Sequence, residues 1–315
     1  TKHIVNLHQS ALKEFENEPL HDITLVAAYT AMRQGELLNM INSEKIKLVY
    51  IHMKSSRVKS LNIALEKSTA KYSFRFDARS RFSKDYAENA LKILEDEKLK
   101  NSVVGGVPSV VSKSNKLESK VCAAIMNSSY LYFFPKHRNP NYSGNASSIY
   151  LGCFVTSALK DIRFNEKEAL LSEDSLIIND FLEKGLNAYI SSRIKLKYVC
   201  RSSLTNLIRL FNTYGYCRSN TILVSNKLFI SKRHFFVFLT LLIIFLVLFK
   251  ISISSLIFLP LLLIIFNLYC EFVFTKKRNN IMIPFCGTLC QFSWILGFLW
   301  GLASSFRIKK IKSNF

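Results

Sequence analysis

The chain has 315 residues, long enough for one large soluble domain or two small ones. Its 43 Lys and Arg against 22 Asp and Glu give a formal net charge of +21, which suits anionic surfaces and substrates; no nucleic-acid-binding motif accompanies that charge, so nucleic acid is set aside as a partner. Acidic residues thin out along the chain, with Glu271 the only one after Glu183, and from about residue 235 Phe, Leu and Ile dominate, so the chain divides into a soluble part, 1–230, and a membrane part, 231–315.

In chain order, Ile23 to Ala27 reads as a buried strand and Lys47 to Ile51 as another. Val58 to Glu66 places Leu61, Ile63, Ala64 and Leu65 on a broad apolar helical face. Tyr72 to Phe76 alternates as a strand does and ends in Asp77-Ala78-Arg79. Ser83 suits the N-cap of a helix from Lys84 to Lys98, with Tyr86, Ala90, Leu91 and Leu94 turned inward. Ser102 to Val104, ending in Gly105-Gly106, is a further strand. Such alternation predicts an α/β sheet with right-handed crossovers. Ligands of these sheets sit beyond the carboxyl ends of the strands, which directs attention to Asp77. Its other reading is a loop aspartate that caps the next turn.

Ser172-Glu173-Asp174 precedes the apolar helix Leu176 to Leu182. Capping and the helix dipole favour carboxylates there without any further role. The six histidines are scattered and form no catalytic arrangement. The seven cysteines show no paired zinc spacing, and Cys286 and Cys290 share one face of an apolar helix, as packing residues do. Arg201-Ser202-Ser203 opens an amphipathic helix with Leu204, Leu207, Ile208, Phe211 and Tyr214 at helical spacing and Arg209 on the other face; Arg218 lies just beyond. This pattern suits an interfacial helix leading into a membrane.

A spanning helix needs about 20 mostly apolar residues. Three apolar stretches are candidates: 235–249, shorter than that length, 251–274 (apolar except for Glu271) and 281–305. Lys250 fits a tight turn between the first two better than mid-bilayer. Lys232, Arg233 and His234 before the first stretch, with Lys276, Lys277 and Arg278 after the second, place both flanks on the cytoplasmic side. Arg307, Lys309, Lys310 and Lys312 conflict with a third full crossing, so that stretch is expected to be re-entrant or interfacial, or else to break the rule. No signal peptide is visible.

These residues together resemble a membrane-bound family 2 glycosyltransferase of the succinoglycan-biosynthesis type. Ser60-Leu61-Asn62-Ile63-Ala64-Leu65 is similar to the family's "LN-x-G-I" helix. Phe74-Arg75-Phe76-Asp77-Ala78-Arg79 resembles the strand ending in its metal-binding aspartate. Val104-Gly105-Gly106, Tyr150 to Phe154, Ser172-Glu173-Asp174, Arg201 to Leu204 with Tyr214 to Arg218, and Trp294 to Gly301 are similar to later segments in the family's order. The resemblance implies a GT-A-like α/β domain followed by transmembrane helices. It implies transfer from a nucleotide-sugar donor to a lipid-linked or polysaccharide acceptor, with inversion, at the cytoplasmic face of the cell (inner) membrane, in surface polysaccharide synthesis. Asp77 would hold Mg²⁺ or Mn²⁺, Asp174 would be the general base supported by Glu173, and Arg79 and Arg201 would contact the donor. Membrane lipids are the further partner.

The resemblance also has departures. The family's first strand is missing, and Ala28 and Arg33 stand where acids that contact the nucleoside are expected. Arg79 replaces a second aspartate, and Leu210 stands where a glutamine is usual. The alternatives are a degenerate homologue that serves as a membrane-bound partner, and a basic membrane scaffold without enzyme ancestry.

Overall fold

The computed structural model describes residues 23–27, 56–77, 79–83, 85–97, 101–132, 135–166, 172–225, 246, 250, 258–275 and 280–312. The expected strand Lys47 to Ile51, the stretch 235–249 and positions Ala28 and Arg33 lie outside these residues. The chain forms two compact units: residues 1–109, 139–169 and 173–199 make the first, and 110–138, 170–172 and 200–315 the second. Composition divides the chain near residue 230, whereas compactness puts the residues on both sides of that point in one unit.

The first unit is a mixed α/β structure. Its strands include β1 (Ile23–Ala27), β2 (Tyr72–Phe76), β3 (Ser80–Phe82) and β4 (Asn101–Gly105). After β5 (Pro108–Val111), in which the boundary between the units falls, come β6 (Gly144–Asn145), β7 (Cys153–Val155), β8 (Asn187–Ile190) and β9 (Leu196–Val199). The main sheet runs β1-β2-β7-β4-β8-β6. β1 lies parallel to β2 and β4 parallel to β8, while β7 is antiparallel to both of its neighbours. A small sheet pairs β3 antiparallel with β9, Ser80 opposite Tyr198.

Helices cover both faces. α1 (Arg57–Lys67) starts where the Ser56 hydroxyl accepts the Lys59 N–H at 3.2 Å and buries Val58, Leu61 and Leu65. With α4 (Thr156–Ile162) and α5 (Glu173–Glu183) it packs over Val103, Phe154, Ala188 and Ile190. α2 (Tyr86–Leu94) covers the other face, against Tyr72, Phe74, Val104 and Cys153. α2 is shorter than the sequence suggests: it follows Asp85 and ends at Leu94, and the Ser83 hydroxyl donates to the Lys195 carbonyl at 3.1 Å.

Strand alternation decides what each β2 residue meets. Tyr72, Phe74 and Phe76 point toward α2, and the Phe76 ring packs with those of Phe82 and Tyr86. Ser73 and Arg75 point the other way. That face is also covered, so Arg75 is 3% exposed and Ser73, bonded to Thr156 at 2.8 Å, is buried as well.

The second unit holds α3 (Leu117–Asn127), α6 (Leu204–Ser225), α7 (Phe258–Thr275) and α8 (Met282–Lys312). α6 and α8 cross at backbone contact. A Cβ on Gly215 would lie 2.0 Å from the Trp294 carbonyl oxygen, and one on Gly297 2.0 Å from that of Asn212. Asn212 donates to the Ser293 carbonyl at 3.0 Å, and the Ser293 hydroxyl to the Ile208 carbonyl at 2.9 Å. α7 and α8 are tied by buried polar groups: Asn267 donates to Thr288 (2.9 Å) and Gln291 (2.8 Å), and Gln291 to the Leu131 carbonyl (3.1 Å). Glu271, the only acid after Glu183, accepts from the Tyr130 hydroxyl at 2.9 Å.

Among the described residues one helix segment, Met282–Ser304, is long and apolar enough to cross a membrane; Leu261–Phe274 is shorter. Met282–Ser304 falls in the third stretch, expected to be re-entrant or interfacial or else to break the charge rule. Beyond this helix the expected multi-pass arrangement is not supported.

Candidate functional site

The site grows from the end of β2. The Asp77 carbonyl accepts the Ser80 N–H at 2.9 Å, closing a turn into β3, and the Arg79 carbonyl accepts the Val199 N–H at 2.8 Å. This turn sets the Asp77 side chain just past the strand end. α5 brings Glu173 and Asp174 in its first turn, where the helix N-terminus favours anions.

The Arg75 guanidinium lies between them. One Nη donates to Asp174 in a short hydrogen bond, the other to Glu173 at 3.3 Å, and Nε faces Asp77 Oδ1 at 3.8 Å. The last distance is too long for a hydrogen bond, and Nε is buried with no hydrogen-bond partner. The carboxylates are less enclosed than the cation: Asp174 is 33% exposed, Asp77 25% and Glu173 14%. Burial works to lower the pKa of Arg75, but Asp174, Asp77 and Glu173 outweigh it, and the pKa is raised. The cation therefore stays charged, and the group carries a formal charge of about −2 when all three acids are ionised.

Three features hold this arrangement. The Arg75 N–H donates to the Gly152 carbonyl at 3.1 Å, in a turn where Leu151 (φ 65°) and Gly152 (φ 94°) both take left-handed conformations. That turn sets Tyr150, whose hydroxyl is 2.9 Å from the Ser80 hydroxyl and whose ring meets Tyr198 edge-on. Burial raises the Tyr150 pKa; the Ser80 bond opposes this, and Asp77 and Asp174 add to it, so the phenol stays neutral beside the acids. The Phe164 ring lies 6.0 Å from the guanidinium carbon, and buried Asn62 grips the Phe164 backbone through both its N–H (2.9 Å) and its carbonyl (2.8 Å).

Of the residues singled out in the sequence, Asp77, Glu173 and Asp174 thus come together around one cation. Arg79 lies exposed in the turn after Asp77. Arg201 belongs to the second unit, where it is half-buried with an Nε that has no hydrogen-bond partner. Arg209 is exposed on α6, and burial lowers the pKa of Arg218. Arg75 and Tyr150 were not singled out. The available signal was an arginine two residues before the aspartate, in phase with Ser73 on a strand whose other face is aromatic.

Among the described residues no three His, Cys, Asp or Glu side chains lie together as a metal cage. Asp77 offers a partly open carboxylate at the strand end. That suits a hard cation carried on a diphosphate, which keeps phosphate and water ligands and takes one or two carboxylates from protein.

No protein-family model matches the sequence, and no curated protein does. Among solved structures, S. aureus TarS is similar at 14% identity and a TM-score of 0.43, over 67% of this chain and 37% of that one. TarS 1-349 in complex with UDP is similar at 15% identity and 0.41, over 66% and 59%. TarS 1-349 in complex with UDP-GlcNAc is similar at 13% identity and 0.45, over 95% and 88%. This chain thus spans little more than a third of the first of these.

Proposed function

We propose that the chain is a glycosyltransferase that takes a sugar from a nucleotide-sugar donor. One observation carries the reading: Asp77, at a strand end, and Asp174, at a helix start, contact or face the same buried guanidinium. A donor-side and an acceptor-side carboxylate so placed serve one cleft, as the motif resemblance implies.

In this reading Asp174 is the base. It is the most open of the three acids and takes the proton of the acceptor hydroxyl as that oxygen attacks the anomeric carbon. Attack opposite the departing diphosphate inverts that carbon. Glu173, more enclosed, orients Asp174 and the acceptor. Asp77 holds the Mg²⁺ or Mn²⁺ on the diphosphate, and such an ion offsets the charge of the leaving group. Arg79, exposed in the adjoining turn, meets the diphosphate. The helix 282–304 and the basic residues around it associate the chain with anionic lipid at the cytoplasmic membrane face. The acceptor is lipid-linked or a growing polysaccharide, and the product a surface polysaccharide.

A second reading is a non-catalytic homologue that keeps the fold as a membrane-bound partner. It is favoured by Ala28 and Arg33 at positions where the resemblance expects acids. Donor hydrolysis by the full chain in detergent, across a panel of UDP- and GDP-sugars that includes UDP-GlcNAc, separates the two. Turnover that Asp174→Asn abolishes supports the enzyme. A folded chain that neither binds nor turns over any donor supports the homologue.

A further inference from the structure

We propose that Arg75 is a positioning residue that ties the donor-side carboxylate, Asp77, to the acceptor-side pair, Glu173 and Asp174, so that the two halves of the site are set as one frame. The proposal rests on the glycosyltransferase reading and adds to it a residue that makes no contact with substrate.

Geometry is the first support. A guanidinium is a rigid planar fork, and each of its three edges here addresses a different acid. Two of those acids stand on α5 and the third follows β2. The fork therefore fixes a distance and an angle between two elements that share no covalent tie for almost a hundred residues. The side chain also has little room to adopt another pose. Behind it, the cavity lined by Leu61, Phe154 and Phe164 measures about 10 Å³, room for no more than about one water.

A purely structural arginine would be arranged differently. Burying a guanidinium costs several kcal/mol unless every edge is well matched. A fold that needed only stability would enclose the acids too or would use an apolar residue. Here the cation is enclosed while Asp174 and Asp77 stay partly open, and Nε–H lacks a hydrogen-bond partner while facing Asp77 at 3.8 Å. The enclosed charge thus serves the sides of the carboxylates turned away from solvent and leaves their open sides for ligands. It also lets three acids stand close together, which without a counter-charge would repel.

The test uses the full chain in detergent, with UDP titration calorimetry, donor-hydrolysis kinetics and a thermal melt. Arg75→Lys keeps the charge and loses the fork. The expected result is a UDP affinity within about threefold of wild type and a kcat lower by about tenfold or more, the pattern of a lost transition-state arrangement. Wild-type kcat in Arg75→Lys overturns the proposal. So does a parallel loss of UDP affinity, kcat and melting temperature, which is the mark of a scaffold residue. If Arg75→Lys does not fold, a cycle of Asp77→Asn and Asp174→Asn reads the same coupling. A double variant whose loss in kcat falls short of the product of the single losses supports the tie, and simple multiplication overturns it. A folded wild type that binds and hydrolyses no nucleotide sugar fails one step earlier. It removes the glycosyltransferase reading itself, and this role with it.

Discussion

The cluster around Arg75 and the crossing of α6 with α8 are both buried contacts between segments far apart in sequence, yet opposite means specify them. At Arg75 a charge is enclosed and its partners are brought to it from β2 and α5. At the crossing, the two residues at closest approach have no side chain. Gly215 and Gly297 let two backbones touch, and hydrogen bonds from Asn212 and Ser293 lock the contact. Charge fixes orientation and stays sensitive to what enters the site. Size fixes distance and responds to nothing but a larger residue. The first suits a site that meets a ligand, and the second suits helices in an apolar setting, where burial of apolar surface no longer drives association.

The largest expected effect comes from deleting the charge. Arg75→Met leaves Asp174, Glu173 and Asp77 facing one another without a cation. Breaking a buried pair from one side costs about 3–5 kcal/mol, so the urea midpoint should fall steeply and donor turnover should vanish. A loss below about 1 kcal/mol, the range of an exposed pair, would show that the acids do not depend on Arg75.

Asp174→Asn is close to isosteric and removes the base. Donor turnover should fall by about 10²–10⁴-fold, the usual weight of general acid–base catalysis, while UDP affinity by calorimetry is kept. Glu173→Gln should cost less, since its carboxylate is the more enclosed of the pair. Equal losses in the two variants would contradict the assignment of the base.

The crossing should break by addition, where the cluster breaks by removal. Gly297→Leu places a side chain where even a Cβ would lie 2.0 Å from the Asn212 carbonyl oxygen. Overpacking of this kind costs typically about 1–3 kcal/mol, read as a lower melting temperature in detergent. An unchanged melt would mean that the helices separate at no cost.

How much of this was legible in the sequence depended on which rule each residue obeyed. Asp77 stood out because ligands of such sheets sit beyond strand ends, and Glu173-Asp174 only through the motif resemblance, since position alone favours a cap; the structure puts all three beside one cation. Arg75 did not stand out, because Tyr-Ser-Phe-Arg-Phe alternates like a strand with one wet face. Only the sheet order, with α1, α4 and α5 over that face, shows that the polar half of β2 is buried as well. The antiparallel insertion of β7 between β2 and β4 was likewise hidden, since its three residues carry too little pattern to fix a direction. In the second unit the seating of α8 on α6 was hidden, because hydropathy and charge counting take no account of a close approach at Gly215 and Gly297. The glycosyltransferase reading rests on motifs and on this cluster together.

The smallest expected effect sharpens the charged side of the comparison. Tyr150 presents a neutral phenol to the acids, held by Ser80 at 2.9 Å. Tyr150→Phe keeps the ring against Tyr198 and deletes one neutral hydrogen bond, worth about 0.5–1.5 kcal/mol. The pH dependence has a definite sign. Burial first, then Asp77 and Asp174, raise the Tyr150 pKa above the ordinary 10.0, so the folded protein keeps a proton that the unfolded chain gives up. Stability from this group is complete below the ordinary value and is lost as pH rises past it. Wild type should therefore lose more stability than Tyr150→Phe between about pH 8 and about pH 10.5 in urea melts, since only the wild-type phenol can ionise on unfolding. Parallel losses in the two proteins would mean that Tyr150 ionises as freely in the folded state as in the unfolded chain. The cluster would then be more open to water than the enclosed charge of Arg75 implies.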